Sequence, residues 1–356
     1  MKVAILSDYS RIGGVTGDCV QANKTADALH RVGVTALRCY IRPSDSQVYG
    51  PRGELLGSWT EVLGDFDIVH AMVPFRVIRK LPKIRAKFAC YTVFWRSFNC
   101  IRVNVYNSGH LGRADVKDLL YVALSRIGIK TYRFFNGYDL LLPNSEDEIR
   151  CVKRFCPVKK DVRFASVPNA VDALPEDIQA VDRAAVLPQK DYVVVPAFFS
   201  HRKNQLGLIR ALKDTDLPIV FMGDGPMLEK CKAEASRSMV FLGHVEHGSN
   251  LFWSALRHAR VVCLPSGCET PGIAGLEGAA VGARPVVPHE GGTSQYYGWD
   301  GEYHNPSSIR SIKEAVMRAW KRGRLTLDEQ QHYRDNTWVK CAKSLVRAYK
   351  QILGEN

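Results

Sequence analysis

Cys263-Leu264-Pro265-Ser266-Gly267-Cys268-Glu269-Thr270-Pro271-Gly272-Ile273-Ala274-Gly275-Leu276-Glu277-Gly278-Ala279-Ala280 changes character twice within a few residues. The apolar run Val261–Leu264 reads as a buried strand. A short loop follows. Thr270, Pro271 and Gly272 then open a helix, with proline suited to its first turn. The small residues Gly272, Ala274, Gly275, Gly278, Ala279 and Ala280 let the backbone come close to a ligand or to a neighbouring element. A helix mouth at the carboxyl end of a parallel strand suits a phosphate, because unpaired N–H groups and the helix dipole both point there. Glu269 precedes the helix and Glu277 lies two turns into it, roughly on one face. Carboxylates so placed accept hydrogen bonds from the diol of a sugar or ribose; the plainer alternative is a capping acid and a solvated acid.

Outward from this stretch the same alternation repeats. Tyr192–Val195, Pro218–Met222, Met239–Leu242 and Pro285–Pro288 are further apolar runs, which implies a parallel sheet in the carboxyl half. The basic loop Ser200-His201-Arg202-Lys203 follows the first run, and a helix begins near Asn204. Gly223-Asp224-Gly225-Pro226 and Gly291-Gly292-Thr293 are strand-end turns. Helices fill Ser307–Lys321 and about Leu327–Ile352. In the amino half, Lys2–Ser7 reads as a strand. The glycine loop Arg11-Ile12-Gly13-Gly14-Val15 and a helix from about Thr16 to Val32 complete a nucleotide-type βα unit. Val34–Cys39, Phe88–Val93 and Leu140–Leu142 are strands. Ile41–Trp59 is polar and turn-rich, as a surface loop is. Asp115 caps a long helix to about Phe135, and Asn144-Ser145 cap the next. Asp65-Phe66-Asp67 could hold a metal, but it leads straight into an apolar run and reads as the start of a strand.

These segments, in this order, resemble the family-4 retaining glycosyltransferases and their Glu-x7-Glu motif, including Val167-Pro168-Asn169-Ala170-Val171-Asp172 between the domains. The resemblance implies an α/β chain of the GT-B fold, with two Rossmann-like domains whose parallel sheets face each other across a cleft. Residues 1–172 would form the acceptor-binding domain, 173–190 a linker and 191–335 the nucleotide-sugar-binding domain. Residues 336–356 would be a helix packing back on the first domain. It implies metal-independent, retaining transfer of a hexosyl or pentosyl group from a UDP- or GDP-sugar, with no cofactor. By the same resemblance Glu277 binds the ribose and Glu269 the transferred sugar. Lys203, Arg202 and the backbone at Thr270, Gly272, Ile273 and Ala274 neutralise the diphosphate. Gly13 and Gly14 face that diphosphate from the other domain. Relatives carry a His at the position of Phe94 and an Arg at that of Phe198.

The chain has a net charge of +13, and most of the excess lies in its amino half. Between Asp67 and Asp115 there is no acidic residue, while Arg76, Arg79, Lys80, Lys83, Arg85, Lys87, Arg96, Arg102 and Arg113 all fall there. Such a field suits an anionic partner. Basic residues alternate there with Phe88, Tyr91, Trp95, Phe98 and Tyr106, a mixture that fits a nucleic acid, a membrane surface, or a plain core with solvated charges. The family resemblance implies a glycan or lipid-linked glycan as the acceptor, and the basic, aromatic amino half also fits a nucleic acid acceptor such as a hydroxymethylated base of viral DNA. A binding protein that kept the fold without the reaction is the third possibility. His70, Trp95 and Arg96 are candidates for contacting acceptor or sugar. The ten cysteines are scattered without a Cys-x-x-Cys pair, as expected of reduced thiols in a cytoplasmic protein. No apolar run reaches the length of a membrane span. The start is too short and too soon acidic for a signal peptide. A cytoplasmic location, peripheral to the inner membrane face, is the expectation.

Overall fold

Short, mostly apolar runs set both sheets of the chain, rich in valine in the second. The computed structural model describes residues 1–14, 17–42, 44, 46–75, 83–171, 174–175 and 182–355. Val15, Thr16, Arg76, Arg79, Lys80, Asp172 and residues 173 and 176–181 of the expected linker lie outside the described residues. The chain divides into two compact units, one of residues 1–94, 124–170 and 337–356, the other of residues 95–123 and 171–336.

The first unit opens with β1 (Lys2–Asp8), whose inner residues are fully buried, and α1 (Gly17–Arg31). β2 (Thr35–Arg42), β3 (Gln47–Tyr49) and β4 (Leu55–Ser58) follow. After α2 (Trp59–Leu63) come β5 (Ile68–Ala71) and β6 (Lys87–Tyr91). Next are α3 (Phe98–Ser108) and α4 (Arg113–Arg126), most of which group with the second unit. β7 (Leu140–Leu142), α5 (Glu146–Phe155) and β8 (Arg163–Phe164) return to the first. The sheet order is β4-β3-β2-β1-β5-β6-β7-β8, parallel except where β3 pairs antiparallel with β2 and β4.

Two expectations fail here. Ile41–Trp59 is not a loop, because Gln47–Tyr49 and Leu55–Ser58 form a hairpin that extends the sheet. The helix expected from Asp115 to Phe135 stops at Arg126, where Gly128 turns the chain at φ 80°. Asp115 lies in that helix's first turn rather than capping it.

The second unit runs β9 (Val193–Pro196), α6 (Gln205–Leu212), β10 (Ile219–Met222), α7 (Leu228–Glu234), β11 (Met239–Phe241) and α8 (Asn250–Arg257). It continues with β12 (Val261–Cys263), α9 (Ile273–Ala280), β13 (Arg284–Pro288), α10 (Ser294–Tyr297), β14 (Glu302–His304), α11 (Ile309–Arg322) and α12 (Leu327–Arg334). All its strand pairs are parallel, in the order β11-β10-β9-β12-β13-β14. This is the doubly wound Rossmann order, and its direction reverses between β9 and β12. One apolar cluster, including Val195, Leu208, Phe221 and Val316, fills one face of the sheet, and another, including Val194, Trp253 and Val262, fills the other.

α13 (Trp338–Leu353) rejoins the first unit, where Cys341, Leu345 and Tyr349 enter its core beside Val3, Ile5 and Leu140. The expected single helix from Leu327 is thus two. The Thr337 hydroxyl starts the second by accepting from Lys340 N–H at 3.3 Å.

Candidate active site in the second unit

Where a doubly wound sheet reverses, the loops leaving the two central strands splay apart and leave a crevice at their carboxyl ends. Here those loops follow β9 and β12. The first carries Arg202 and Lys203 on a short turn and ends at Asn204, which is left-handed at φ 57°. Asparagine tolerates that conformation better than most residues. Its buried side chain also anchors the loop. Nδ2 donates to the carbonyls of Pro265 and Pro306 at 3.0 and 3.1 Å, and Oδ1 accepts from Asn107 Nδ2 at 2.9 Å.

The second loop runs from Pro265 to Gly272. Gly267 N–H donates to the Arg202 carbonyl at 2.8 Å, so the two loops are joined through their backbones. Lys203 Nζ lies 2.6 Å from Glu269 Oε1, and the Ser266 hydroxyl donates to that same oxygen at 2.5 Å. Glu269 is buried, which by itself would push its carboxyl up. The charge and hydrogen bond of Lys203, with Ser266 and Arg202, outweigh burial and hold it below the usual carboxylate range. The group is therefore an anion in its resting state.

A third loop, after β13, closes the back of the site. Glu269 N–H donates to the Glu290 carbonyl at 3.1 Å. Gly291 sits at φ 104°, and a Cβ there would fall 1.8 Å from the Glu269 carbonyl oxygen, so no other residue fits. The Glu290 carboxylate is held from the chain's other segment of this unit. Trp95 Nε1 donates to Oε2 at 2.8 Å and Asn99 Nδ2 to Oε1 at 2.7 Å.

α9 begins one residue after Gly272, which is its N-cap at φ 87°. Pro271 therefore precedes the helix and does not occupy its first turn, because the left-handed glycine comes between them. Gly278 is what lets α9 lie on the sheet, since a Cβ there would be 2.8 Å from Val262 of β12. That close approach buries Glu277, which is 1% exposed and has Oε1 2.7 Å from His247 Nε2. The His247 ring rests on Phe252, with centroids 4.8 Å apart.

The structure brings Lys203, Glu269 and the helix mouth at Gly272 together, with Arg202 exposed at the rim and Thr270, Ile273 and Ala274 half-buried. Trp95 meets the Glu290 loop, while Arg96 turns away to Asp118 at 3.6 Å. His70 is not at a site. It is fully buried in the first unit, with Nδ1 2.6 Å from Tyr349 Oη. Gly13 and Gly14 lie in the first unit's loop after β1, where Gly14 N–H closes a turn on the Arg11 carbonyl at 3.0 Å. Phe88 stacks on Trp59 and Tyr91 is fully buried, so part of the basic–aromatic alternation is core. Phe94 packs among Tyr132, Phe135 and Phe155, whereas Phe198 is 60% exposed. Among the described residues no three His, Cys, Asp or Glu side chains gather as a metal site needs.

Sequence reasoning missed Ser266, His247, Asn204 and Glu290. Ser266 stands three residues before Glu269 and could have been suspected. His247 and Glu290 reach their partners only through the fold. Cys100 and Cys268 also meet here. The hydrogen bond that Cys100 donates pushes its own thiol up and the Cys268 thiol down.

Residues 178–336 match the family model described as glycosyl transferases group 1. A D-rhamnosyltransferase of Pseudomonas aeruginosa, WbpZ, is 32% identical over 122 residues, which is 32% of this chain and 32% of that protein. The match thus spans about a third of the relative's length. Among solved structures, a sucrose-phosphate synthase of Thermosynechococcus elongatus superposes with a TM-score of 0.69 at 15% identity, covering 99% of each chain. Anabaena Alr3699/HepE, in complex with UDP and glucose, gives a TM-score of 0.59 at 13% identity over 99% of this chain and 98% of that one. The two parallel-sheet α/β units are those of the GT-B fold.

Proposed function

We propose that the chain is a family-4-type retaining glycosyltransferase that moves a sugar from a nucleotide sugar to a hydroxyl of an anionic glycan or lipid-linked glycan. One observation carries the reading. A buried, ionised Glu269 is clasped by Lys203 at the carboxyl ends of the two central strands, eight residues before a buried Glu277 on the helix that opens there. The match of residues 178–336 to the group 1 model, and HepE's complex with UDP and glucose, support it.

The donor diphosphate lies between the mouth of α9 and Lys203, with Arg202 beside it. Those groups stabilise the negative charge that builds as the bond from sugar to diphosphate breaks. Glu277 accepts hydrogen bonds from the ribose diol, and His247 fixes that carboxylate. Glu269 accepts from hydroxyls of the transferred sugar. Because Lys203 already neutralises it, Glu269 acts as an oriented acceptor rather than as a strong base. The acceptor attacks from the leaving-group side, so configuration is retained without a covalent enzyme intermediate. Nothing in this arrangement requires a bound metal, and the positive charge comes from the chain.

The test offers labelled UDP- and GDP-sugars to the protein with a bacterial lipid extract and with DNA carrying hydroxymethylated pyrimidines. Labelled lipid or glycan that disappears in Glu277→Ala is the expected result. Label in the DNA would overturn the acceptor assignment, and no turnover of any donor would leave a non-catalytic nucleotide-binding protein. The burial of Tyr91 and the stacking of Phe88 on Trp59 favour the glycan or lipid, because a nucleic acid would use those rings as stacking platforms.

A further inference from the structure

All ten cysteines of the chain are among the described residues, and eight of them are buried. The two that keep partial exposure, Cys100 and Cys268, are the two that meet. Cys100 lies in the first turn of α3, and Cys268 stands one residue before Glu269. A buried thiol behaves as a small apolar group, whereas a partly exposed pair in contact is open to an oxidant.

Backbone contacts hold the pair in place. Ser97 Oγ accepts from Cys100 N–H at 3.2 Å, and its hydroxyl donates to Cys100 Sγ at 3.2 Å. The Cys100 thiol donates to the Gly267 carbonyl at 3.2 Å and shares its proton with the Cys268 sulfur. That carbonyl belongs to the peptide group that leads into Cys268. The two backbones are close as well, since a Cβ built on Gly267 would stand 3.5 Å from Cys100 Cα. A disulfide requires segments in this kind of contact, because Cα atoms more than about 7 Å apart cannot be bridged without moving the chain.

The two thiols are not equivalent. Cys268 accepts the hydrogen bond of Cys100 and lies in the positive field of Arg202 and Lys203. Against burial and the charge of Glu269, these hold its thiol below the ordinary value. Cys100, as the donor, is pushed up. Cys268 is therefore the attacking sulfur and Cys100 the resolving one.

We infer that Cys100 and Cys268 form a reversible oxidation site, closed to a disulfide by a peroxide and reopened by a dithiol. The Cys268 thiolate attacks one peroxide oxygen and the O–O bond breaks. Cys268 becomes a sulfenic acid, and the hydroxide that leaves takes up a proton as water. The Cys100 sulfur then attacks the Cys268 sulfur, the S–S bond forms, and a second water leaves with the Cys100 proton. In sum, two thiols and one hydrogen peroxide give one disulfide and two waters, with two electrons passing from sulfur to oxygen. The bond removes the proton by which Cys100 holds the Gly267 carbonyl, and it tethers the residue beside Glu269 to α3. Transfer slows as a result; that consequence, unlike the bond itself, rests on the function proposed above.

The test treats the reduced full chain with hydrogen peroxide, blocks the remaining thiols with N-ethylmaleimide in denaturant, and digests the product for mass spectrometry. A cross-linked peptide joining Cys100 to Cys268 is expected, with the other eight cysteines labelled. Dithiothreitol should restore all ten. In Cys100→Ser the reaction should stop at a sulfenic acid on Cys268, which dimedone traps; in Cys268→Ser, Cys100 should remain a thiol. Turnover of a nucleotide sugar by the parent should fall by about tenfold or more once the bond forms, because the loop of Glu269 is displaced, and should return with dithiothreitol. Cys268→Ser should keep its own rate through the same treatment. Three results would overturn the proposal: both cysteines still labelled after peroxide, Cys268 carried to sulfinic acid without a cross-link, or a disulfide that leaves turnover at the reduced rate. A bridge between two copies of the chain in place of the internal one would overturn it equally. If no donor is turned over in either state, the catalytic reading falls, and the cross-linked peptide alone decides for or against the oxidation site.

Discussion

Lys203 Nζ and the buried Glu269 Oε1 lie 2.6 Å apart, and together they join the loops that leave β9 and β12. Taking the ammonium away leaves a buried carboxylate with Ser266 as its remaining close donor. Breaking such a pair from one side costs about 3 kcal/mol or more, because the other charge stays in low dielectric. Lys203→Met should therefore destabilise the protein by about that amount at pH 7.5 and abolish transfer. The sign with pH is specific. In the parent, the lowered Glu269 carboxyl contributes stability above its unfolded value, and this is lost as pH falls. In the variant, burial, which raises the carboxyl, is opposed only by Ser266 and Arg202, so the penalty is present at high pH and relieved as pH falls. Denaturant melts from pH 8 to 5 should show the gap between the proteins closing with acid; a constant gap would mean that Glu269 is not the charge that Lys203 compensates.

Glu277 and His247 meet 2.7 Å apart, and under the proposed function this pair separates nucleotide binding from chemistry. Glu277→Ala should lose transfer with the fold intact. His247→Ala keeps the carboxylate but removes this hydrogen bond to it. Its effect is expected mainly in KM for the nucleotide sugar, by about tenfold, with kcat changed little, since the ribose contact is the same in ground and transition states. A fall in kcat with KM unchanged would place His247 near the reacting bond instead.

If, as proposed, Lys203, Arg202 and the α9 mouth supply the positive charge for the diphosphate, the rate should be unchanged in excess EDTA and unimproved by magnesium or manganese. Steady-state rates with and without chelator decide this. A rate that collapses in EDTA and returns with one divalent ion would show that the diphosphate is held by a metal.

Much of the fold was legible because the Val-rich runs of the second unit are short, apolar on both faces and punctuated by Gly and Pro, as buried parallel strands are. The hairpin of β3 and β4 was not. It lacks a two-residue Asn-Gly or Asp-Gly turn, and its connection through Gly50–Glu54 is polar. Nor did local pattern show that residues 95–123 group with the second unit, since that rests on contacts such as Asn107 with Asn204 and Trp95 with Glu290. Within the site, Glu269 and Glu277 stood out by spacing, and Lys203 only through the family resemblance of its loop. His247 did not, because a histidine in a polar loop carries no mark until α9 is laid against β12. His70 failed in the opposite direction. Its strand-end position suggested a cleft, but α13, which comes last in the chain, covers it with Tyr349.

That burial has a measurable consequence. The His70 ring lies 4.3 Å from Tyr91 and beside Tyr349, and burial lowers it from 6.5 to about 3. His304 in the second unit is lowered to about 4, again chiefly by burial. Each is neutral in the folded protein and takes a proton once unfolded below pH 6.5. The unfolded chain therefore binds more protons, and stability falls as pH drops from about 6.5 toward those folded values. Each group contributes a slope of about 1.4 kcal/mol per pH unit well inside that window. His70→Phe removes one of the two. It should be less stable than the parent at pH 7.5, because Tyr349 Oη loses its partner, yet lose stability more slowly on acidification. The slope between pH 5.5 and 4.5 should be shallower by about 1.4 kcal/mol per unit. Ionised carboxylates add acid sensitivity of the same sign, but they are common to both proteins and cancel in the difference. Urea midpoints measured across this range at constant ionic strength test the point, and parallel slopes would mean that His70 is charged in the native state or already exposed to solvent there.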